Sequence, residues 1–155
     1  MAAPIMSHLI CSMGLIVLIL VMPVFFAMER DGIIEEMAKR ELTEISDYVS
    51  NTLANLYILA NSTSATGQLN ITKNLLYLPL TVQNYFYKLS ITPDGEYASK
   101  VTAVLKEKSW VAGESWLVPG LKMYNSSSIE ILGQTLTAGC LRDSTGFYVW
   151  LGEGY

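Results

Sequence analysis

The first 28 residues of the chain contain no Asp, Glu, Lys or Arg, and this uncharged start limits the possible folds more than any other feature. From Leu9 to Met28 the sequence reads LICSMGLIVLILVMPVFFAM, an unbroken run without charge. As an α-helix, a run of about 20 residues is roughly 30 Å long, which matches the hydrocarbon core of a bilayer. We therefore predict a membrane-type helix in the N-terminal part of the chain.

A cleaved signal peptide and a buried core helix are the two alternative interpretations of this run. A signal peptide usually has basic residues before a shorter apolar region, and a small-x-small cleavage site after it. The residues before Leu9 include no Lys or Arg, and Phe25 stands two positions before Ala27. These features favour a retained span. Lys or Arg beside a span usually fixes its orientation in the membrane, and none precedes this one. Removal of a basic leader peptide would explain their absence. The Met at position 1 favours the alternative, in which the span is oriented without such charges.

Residues 33–60 continue the helical pattern but become amphipathic. Apolar side chains recur there in steps of three and four, which places them on one face of a helix. We predict one helix from about residue 5 to about residue 60. Its weak points are Gly14 and Pro23, since Pro23 cannot donate a hydrogen bond to the carbonyl of Ile19 and a kink is expected there. Asp31 before Gly32 leaves a second helix start near 31–32 open.

The pattern changes after a polar loop at 61–67. Residues 81–92 alternate between apolar and polar, a Pro-Asp-Gly turn signal follows at 93–95, and 97–106 alternate again, so we predict a β-hairpin over 81–106. Further short strands are predicted at 109–112, 129–132, 134–142 and 147–151. The predicted fold class is α+β: a long N-terminal helix, hydrophobic and then amphipathic, followed by a small antiparallel β-sheet or sandwich. The predicted domains are 1–60 and 61–155.

The residues that carry most enzyme chemistry are scarce. His8 is the one histidine and there are two cysteines, too few for a Ser-His-Asp triad or a four-ligand zinc site in one chain. The net charge is −4 with no basic cluster, which argues against nucleic acid. Trp110, Trp116 and Trp150 could line a sugar-binding surface, although packing is the more usual role of aromatic residues in small β domains. We predict no catalysis, no metal, no cofactor and no nucleic-acid partner.

Three Asn-x-Ser/Thr triplets follow the span, at Asn61, Asn70 and Asn125. Each lies in a predicted loop, where an acceptor asparagine is accessible to glycosylation in an exported protein. The triplets therefore favour an exported domain that carries glycans.

An uncharged start, a hydrophobic helix that runs on into an amphipathic one, and a β domain rich in Ser, Thr and Asn resemble the archaeal type IV pilins and pilin-like proteins. The resemblance covers the whole architecture, but the processing signature of that family, a basic residue with Gly or Ala before the cleaved bond, is not in this sequence. The resemblance implies a membrane-anchored precursor that becomes a helical homopolymer on the cell surface, with roles in adhesion, motility or surface contact.

The resemblance also implies roles for particular residues. Asn61, Asn70 and Asn125 would carry glycans in the outer sheath of the filament. The helical core would be made by Leu9, Ile10, Leu15, Ile16, Val17, Leu18, Ile19, Leu20, Val21, Val24, Phe25 and Phe26, and would be extended by Ile34, Met37, Leu42, Ile45 and Val49.

Two other classes of protein fit the same sequence. One is a single-span extracellular binding or stator-like module that stays in the membrane and does not polymerise. The other is an anchored subunit of an extracytoplasmic enzyme or transporter, which the scarcity of catalytic residues disfavours. In every case the β domain is expected outside the cell.

Overall fold

A computed structural model describes residues 3–64, 67–124, 128–131 and 135–153. The chain divides into two compact units, Met1–Glu36 and Met37–Tyr155. This boundary lies inside the helix, whereas the sequence places the end of the helical domain at residue 60. The difference arises because the second half of the helix packs into the same core as the β-strands, as described below.

The helix, α1, extends over Ala3–Ser62 and confirms the long helix predicted for about 5–60. It continues through Asp31 and Gly32 without a second start, and Pro23 lies within it. At its C-terminal end the side chains of Ser62 and Thr63 both donate to the carbonyl of Leu59, at 3.0 and 2.7 Å. The same carbonyl also accepts the backbone N–H of Thr63 at 3.2 Å, so these bonds concentrate on one carbonyl of the last turn.

The described part of the chain after α1 forms eight strands. They are β1 (Leu69–Leu75), β2 (Tyr87–Asp94), β3 (Tyr97–Leu105), β4 (Ala112–Trp116), β5 (Lys122–Met123), β6 (Ser128–Glu130), β7 (Leu136–Asp143) and β8 (Gly146–Glu153).

The predicted hairpin is confirmed as β2 and β3, but it begins at Tyr87 rather than at residue 81. Val82 and Tyr85 instead exchange two backbone hydrogen bonds of 2.9 Å across a tight turn, in which Gln83 and Asn84 both have positive φ. The predicted turn is displaced as well, because Pro93 lies within β2, beside a break in register, and Gly95 with its φ of 65° opens the turn. The strand predicted at 109–112 is wrong: β4 begins where that segment ends.

The eight strands belong to one sheet in the order β1-β7-β8-β5-β3-β2-β6, with β4 also paired to β3. All pairings are antiparallel except the short one between β5 and β8. The α+β class with a mostly antiparallel sheet is therefore confirmed. The strands are joined in a single hydrogen-bonded sheet rather than in the two sheets of a sandwich.

The core of the second unit lies between the second half of α1 and this sheet. The helix contributes one buried stripe. In β2 the buried residues alternate, as expected for a strand with one covered face, whereas β7 is buried continuously from Leu136 to Leu141. The buried helix residues are Ala38, Leu42, Ile45, Val49, Leu53, Leu56 and Ala60. The strand residues buried with them include Tyr87, Leu89, Ile91, Val101, Ala103, Leu105, Leu136, Ala138, Cys140, Val149 and Leu151.

Strand β4 lies directly against α1 at Gly113. A methyl group on Gly113 would collide with backbone atoms of Leu42 and Thr43, so only glycine permits this approach. One and two turns further along the helix, Ser46 donates to the carbonyl of Gly113 at 3.1 Å and Ser50 donates to the carbonyl of Trp116 at 2.6 Å. The helix thus packs directly against β4 and donates two side-chain hydrogen bonds to its carbonyls.

Candidate functional site

The first candidate site is the surface of α1 between Leu9 and Met28, here called the bare segment. Each of its large apolar side chains is between 45% and 71% exposed. The helix is long and apolar enough to cross a membrane, by a criterion of length and composition that a signal sequence also meets. Exposed apolar surface of this extent marks a contact with lipid or protein in a functional molecule.

The predicted core residues from Leu9 to Phe26 all lie on the bare segment. Of the predicted extension, Ile34 is half-buried and Met37 is 50% exposed. The rest of the predicted extension consists of Leu42, Ile45 and Val49, which are buried in the core of their own domain. An apolar stripe shows that a helix face is covered, and the pattern is the same whether the cover is another copy or the chain's own sheet.

The predicted glycosylation sites have a different local structure from the one expected. Asn61 lies in the last turn of α1 and Asn70 lies in β1, so the prediction of loops was wrong for both, although both residues are exposed. Asn125 lies outside the described residues. The polar composition around Asn61 and Asn70 suggested loops, but helix capping and pairing of β1 with β7 set their conformation.

A second candidate site lies where α1 meets the connection between β1 and β2, and we call it the acidic cleft. Its volume is about 320 Å³, and it is lined by Glu41, Glu44, Ile45, Tyr48, Tyr77, Leu78 and Pro79. Tyr77 is 83% exposed, and its ring meets that of Tyr48 edge to face at 6.4 Å between centroids. The cleft therefore combines an exposed aromatic ring with two carboxylates.

The connection at 76–86 that forms one wall of the cleft is held in place by its own hydrogen bonds. Gln83 donates to the carboxylate of Glu41 at 2.6 Å, and the buried Tyr87 hydroxyl donates to the carbonyl of Pro79 at 2.7 Å. Burial raises the pKa of Tyr87, so this hydroxyl remains a hydrogen-bond donor even at an alkaline pH at which an exposed tyrosine loses its proton. The fixed wall keeps Leu76, Tyr77 and Leu80 in water, at 68%, 83% and 57% exposure.

Sequence reasoning missed this cleft. Residues 76–80 show neither a helical nor an alternating pattern, and the alternation from residue 81 predicted a strand where the structure has a tight turn. That turn, at Gln83 and Asn84, contains no glycine. The only available signal is the polar Gln-Asn pair between Val82 and Tyr85, since asparagine tolerates positive φ better than most residues.

A shallower pocket of about 400 Å³ lies beside the turn between β2 and β3. Lys122 and Glu96 face each other there, with 4.0 Å between the ammonium nitrogen and the carboxylate oxygen. Tyr148 also lines the pocket, and its ring packs edge to face against the ring of Tyr124.

The three tryptophans lie in different surroundings. Trp110 and Trp116 are 70% and 76% exposed, whereas the half-buried Trp150 packs against Gly139 and Gly152.

Two further titratable groups of the β domain have pKa values shifted by their surroundings. Burial raises the pKa of the Cys140 thiol to about 11, and Lys106, through a hydrogen bond and its charge, lowers the pKa of Glu130. Cys11 is exposed on the bare segment and Cys140 is buried in the sheet, and both are free thiols. Within the described ranges, no group of three or more His, Cys, Asp or Glu side chains is arranged to hold a metal ion.

Comparisons with protein families, with curated proteins and with solved structures find no match for this chain. The structure has one long apolar N-terminal helix followed by a β-sheet, a layout that is compatible with a pilin-like fold.

Proposed function

We propose that this chain is a structural subunit of an extracellular filament of the type IV pilin kind, in which the bare segments of many copies pack together. The filament would serve adhesion, motility or surface contact, and the chain would be held in the membrane before assembly. The observation that carries the proposal is the uniform exposure of the bare segment around the whole helix.

The free energy of covering the bare segment is large. Burial of one such span removes on the order of 1,500 Å² of apolar surface from water, worth on the order of 40 kcal/mol at about 25 cal/mol per Å². The loss of translational and rotational freedom on association offsets part of this amount. Lipid can supply the cover before assembly, and identical helices can supply it afterwards.

Two further features support self-assembly rather than a permanent membrane anchor. The bare segment is apolar on all sides, so it offers several faces to neighbouring helices. The second half of α1 is already covered by the chain's own sheet, so each copy has a separate folded domain to present outside a helical core. Contacts between unlike faces of identical subunits give an open polymer.

The test is mechanical release of the chain from cells that produce it. Intact cells are sheared, the released material is pelleted without detergent, and the pellet is examined by electron microscopy and by intact-mass measurement. We expect thin filaments that contain this chain, with a mass that reports leader removal and any glycans. Recovery of the chain solely in the detergent-solubilised membrane fraction would contradict the filament and would support a single-span binding module.

A further inference from the structure

We infer that the acidic cleft of one copy binds the segment Met37–Arg40 of a second copy, and that this contact sets the stagger between neighbours. The inference rests on the proposed filament and assigns it a specific contact outside the bare segment. Both partners lie in the folded unit Met37–Tyr155.

The chemistry of the cleft calls for a ligand that is both apolar and basic. Tyr77, Leu78 and Pro79 present aromatic and aliphatic surface on one side, and Glu41 and Glu44 present carboxylates on the other. Glu41 already accepts a hydrogen bond from Gln83, whereas Glu44 is exposed and takes part in none of the side-chain hydrogen bonds or ion pairs among the described residues. Glu44 is therefore the carboxylate available to a partner.

The segment Met37–Arg40 has the complementary chemistry. Met37 is 50% exposed, and Lys39 and Arg40 are exposed on the same short stretch of α1. Among the described residues, the guanidinium of Arg40 has no ion pair or side-chain hydrogen bond. Met37 and Arg40 are three residues apart, so they are neighbours on one helix face. A flexible thioether and a guanidinium together match a tyrosine ring and a carboxylate, since arginine both pairs with carboxylates and stacks on aromatic faces.

Arg40 and Glu44 of one chain are four residues apart on the same helix, yet they do not pair with each other. Between copies, Arg40 comes level with Glu44 when two parallel chains are displaced by four residues, which is about 6 Å along the helix axis at 1.5 Å per residue. The contact joins unlike patches of identical subunits, the cleft on one copy and the segment Met37–Arg40 on the next, which is the type of contact that can continue from copy to copy. Charge pairs at the periphery of an interface contribute mainly to the register and specificity of the contact.

Charge reversal in the full-length chain tests the contact. The two variants are Arg40→Glu and Glu44→Arg, which carry different peptide tags and are produced separately and together. Each variant alone places like charges across the interface, whereas an alternating mixture restores opposite charges at every contact. Both variants also place like charges at positions 40 and 44 of one helix, and this effect is the same in the mixture, so recovery there reports the contact between copies. Glu107→Arg and Lys73→Glu are the matched controls, because both residues are exposed and lie outside the cleft.

We expect each cleft variant alone to reduce the pelleted filament by about tenfold or more, since like charges at an interface are strongly unfavourable, and we expect the mixture to restore it. The two control variants should pellet like the wild type. Wild-type yield from both cleft variants alone, or failure of the mixture to recover, would overturn the contact while leaving the filament intact. Absence of wild-type filaments would overturn the proposed function and the contact together.

Discussion

The two halves of α1 differ in apolar content and have opposite surroundings. From Leu9 to Met28 every large apolar side chain is at least 45% exposed. From Ala38 to Ala60 one stripe of seven residues is at most 7% exposed beneath the sheet, and Glu36, Lys39, Glu44 and Asp47 lie outside it.

The difference shows how one continuous helix can serve two purposes. The amphipathic half is a structural part of a folded domain, and its surroundings are complete within one chain. The bare segment has no cover in one chain, so its stable environment must come from lipid or from other copies. Variants placed at matched positions in the two halves can separate these roles.

Removal of the amphipathic half should have the largest effect. We expect residues 37–155 to fold as an independent unit and residues 61–155 to remain unfolded, because the shorter fragment loses the seven buried helix residues of the core. Burial of each large apolar side chain contributes about 1.5–3 kcal/mol, so the loss is comparable to the total stability of about 5–15 kcal/mol of a typical domain. Circular dichroism and thermal unfolding of both fragments provide the measurement. A cooperative transition in 61–155 would show that the helix is dispensable for the β domain.

The same substitution in each half should then give opposite phenotypes. Val49→Asp buries an unpaired charge at a fully buried position, and it should lower the free energy of unfolding of the 37–155 fragment by roughly 3–5 kcal/mol. Val17→Asp in the full chain should leave that domain folded but prevent membrane retention and filament assembly, because a charge within the span costs about 3 kcal/mol in insertion. Thermal unfolding and fractionation of sheared cells measure the two effects. If Val17→Asp destabilised the domain as much as Val49→Asp, the two halves of α1 would not have separate roles.

Glycine substitutions give a smaller contrast. Gly113→Ala places a methyl group against the backbone of Leu42 and Thr43, and we expect a loss of about 1–3 kcal/mol in domain stability. Gly14→Ala meets no neighbouring atom within the chain and should not lower the melting temperature of the domain. Differential scanning calorimetry of the two full-length variants tests the pair. An unchanged melting temperature for Gly113→Ala would mean that the helix does not lie against β4.

The hydrogen bonds from α1 to β4 should have the smallest effect. Ser50→Ala removes the donor to the Trp116 carbonyl, and we expect a loss of about 1 kcal/mol in the free energy of unfolding. Ser62→Ala is the control, since its bond to Leu59 lies at the end of the helix and outside the core. Urea unfolding of the 37–155 fragment can resolve the difference. Equal stabilities of the two variants would indicate that Ser50 makes no net contribution.

Local periodicity was sufficient to predict α1 and the hairpin of β2 and β3. Both have long, regular patterns that agree with the residues they bury. The stripe from Ala38 to Ala60 was identified as well, but its partner was not, because the pattern does not show whether a face meets the chain's own sheet or another copy. The structure shows that this face packs against the chain's own sheet, with β4 in direct contact with the helix at Gly113.

Two strands and the acidic cleft could not be predicted from local pattern. β1 reads LNITKNL, a mostly polar segment that is a strand because it pairs with β7 along its whole length. β5 has two residues and exists through its partners Tyr97 in β3 and Tyr148 and Val149 in β8. The cleft depends on contacts such as that between Gln83 and Glu41, which are 42 residues apart in sequence. Long-range contacts of this kind leave no periodic signal.

The most direct test of the filament core uses the two natural cysteines. Sheared material, free of detergent and lipid, is treated with a water-soluble maleimide, and labelling of Cys11 and Cys140 is quantified by mass spectrometry. Cys140 is the internal control, since it is buried in the sheet and its thiol pKa is about 11. The account predicts that Cys11 is protected in the polymer and reacts once the copies are dissociated. Labelling of Cys11 in intact filaments at the rate of a free thiol would show that the bare segment is not buried among its own copies.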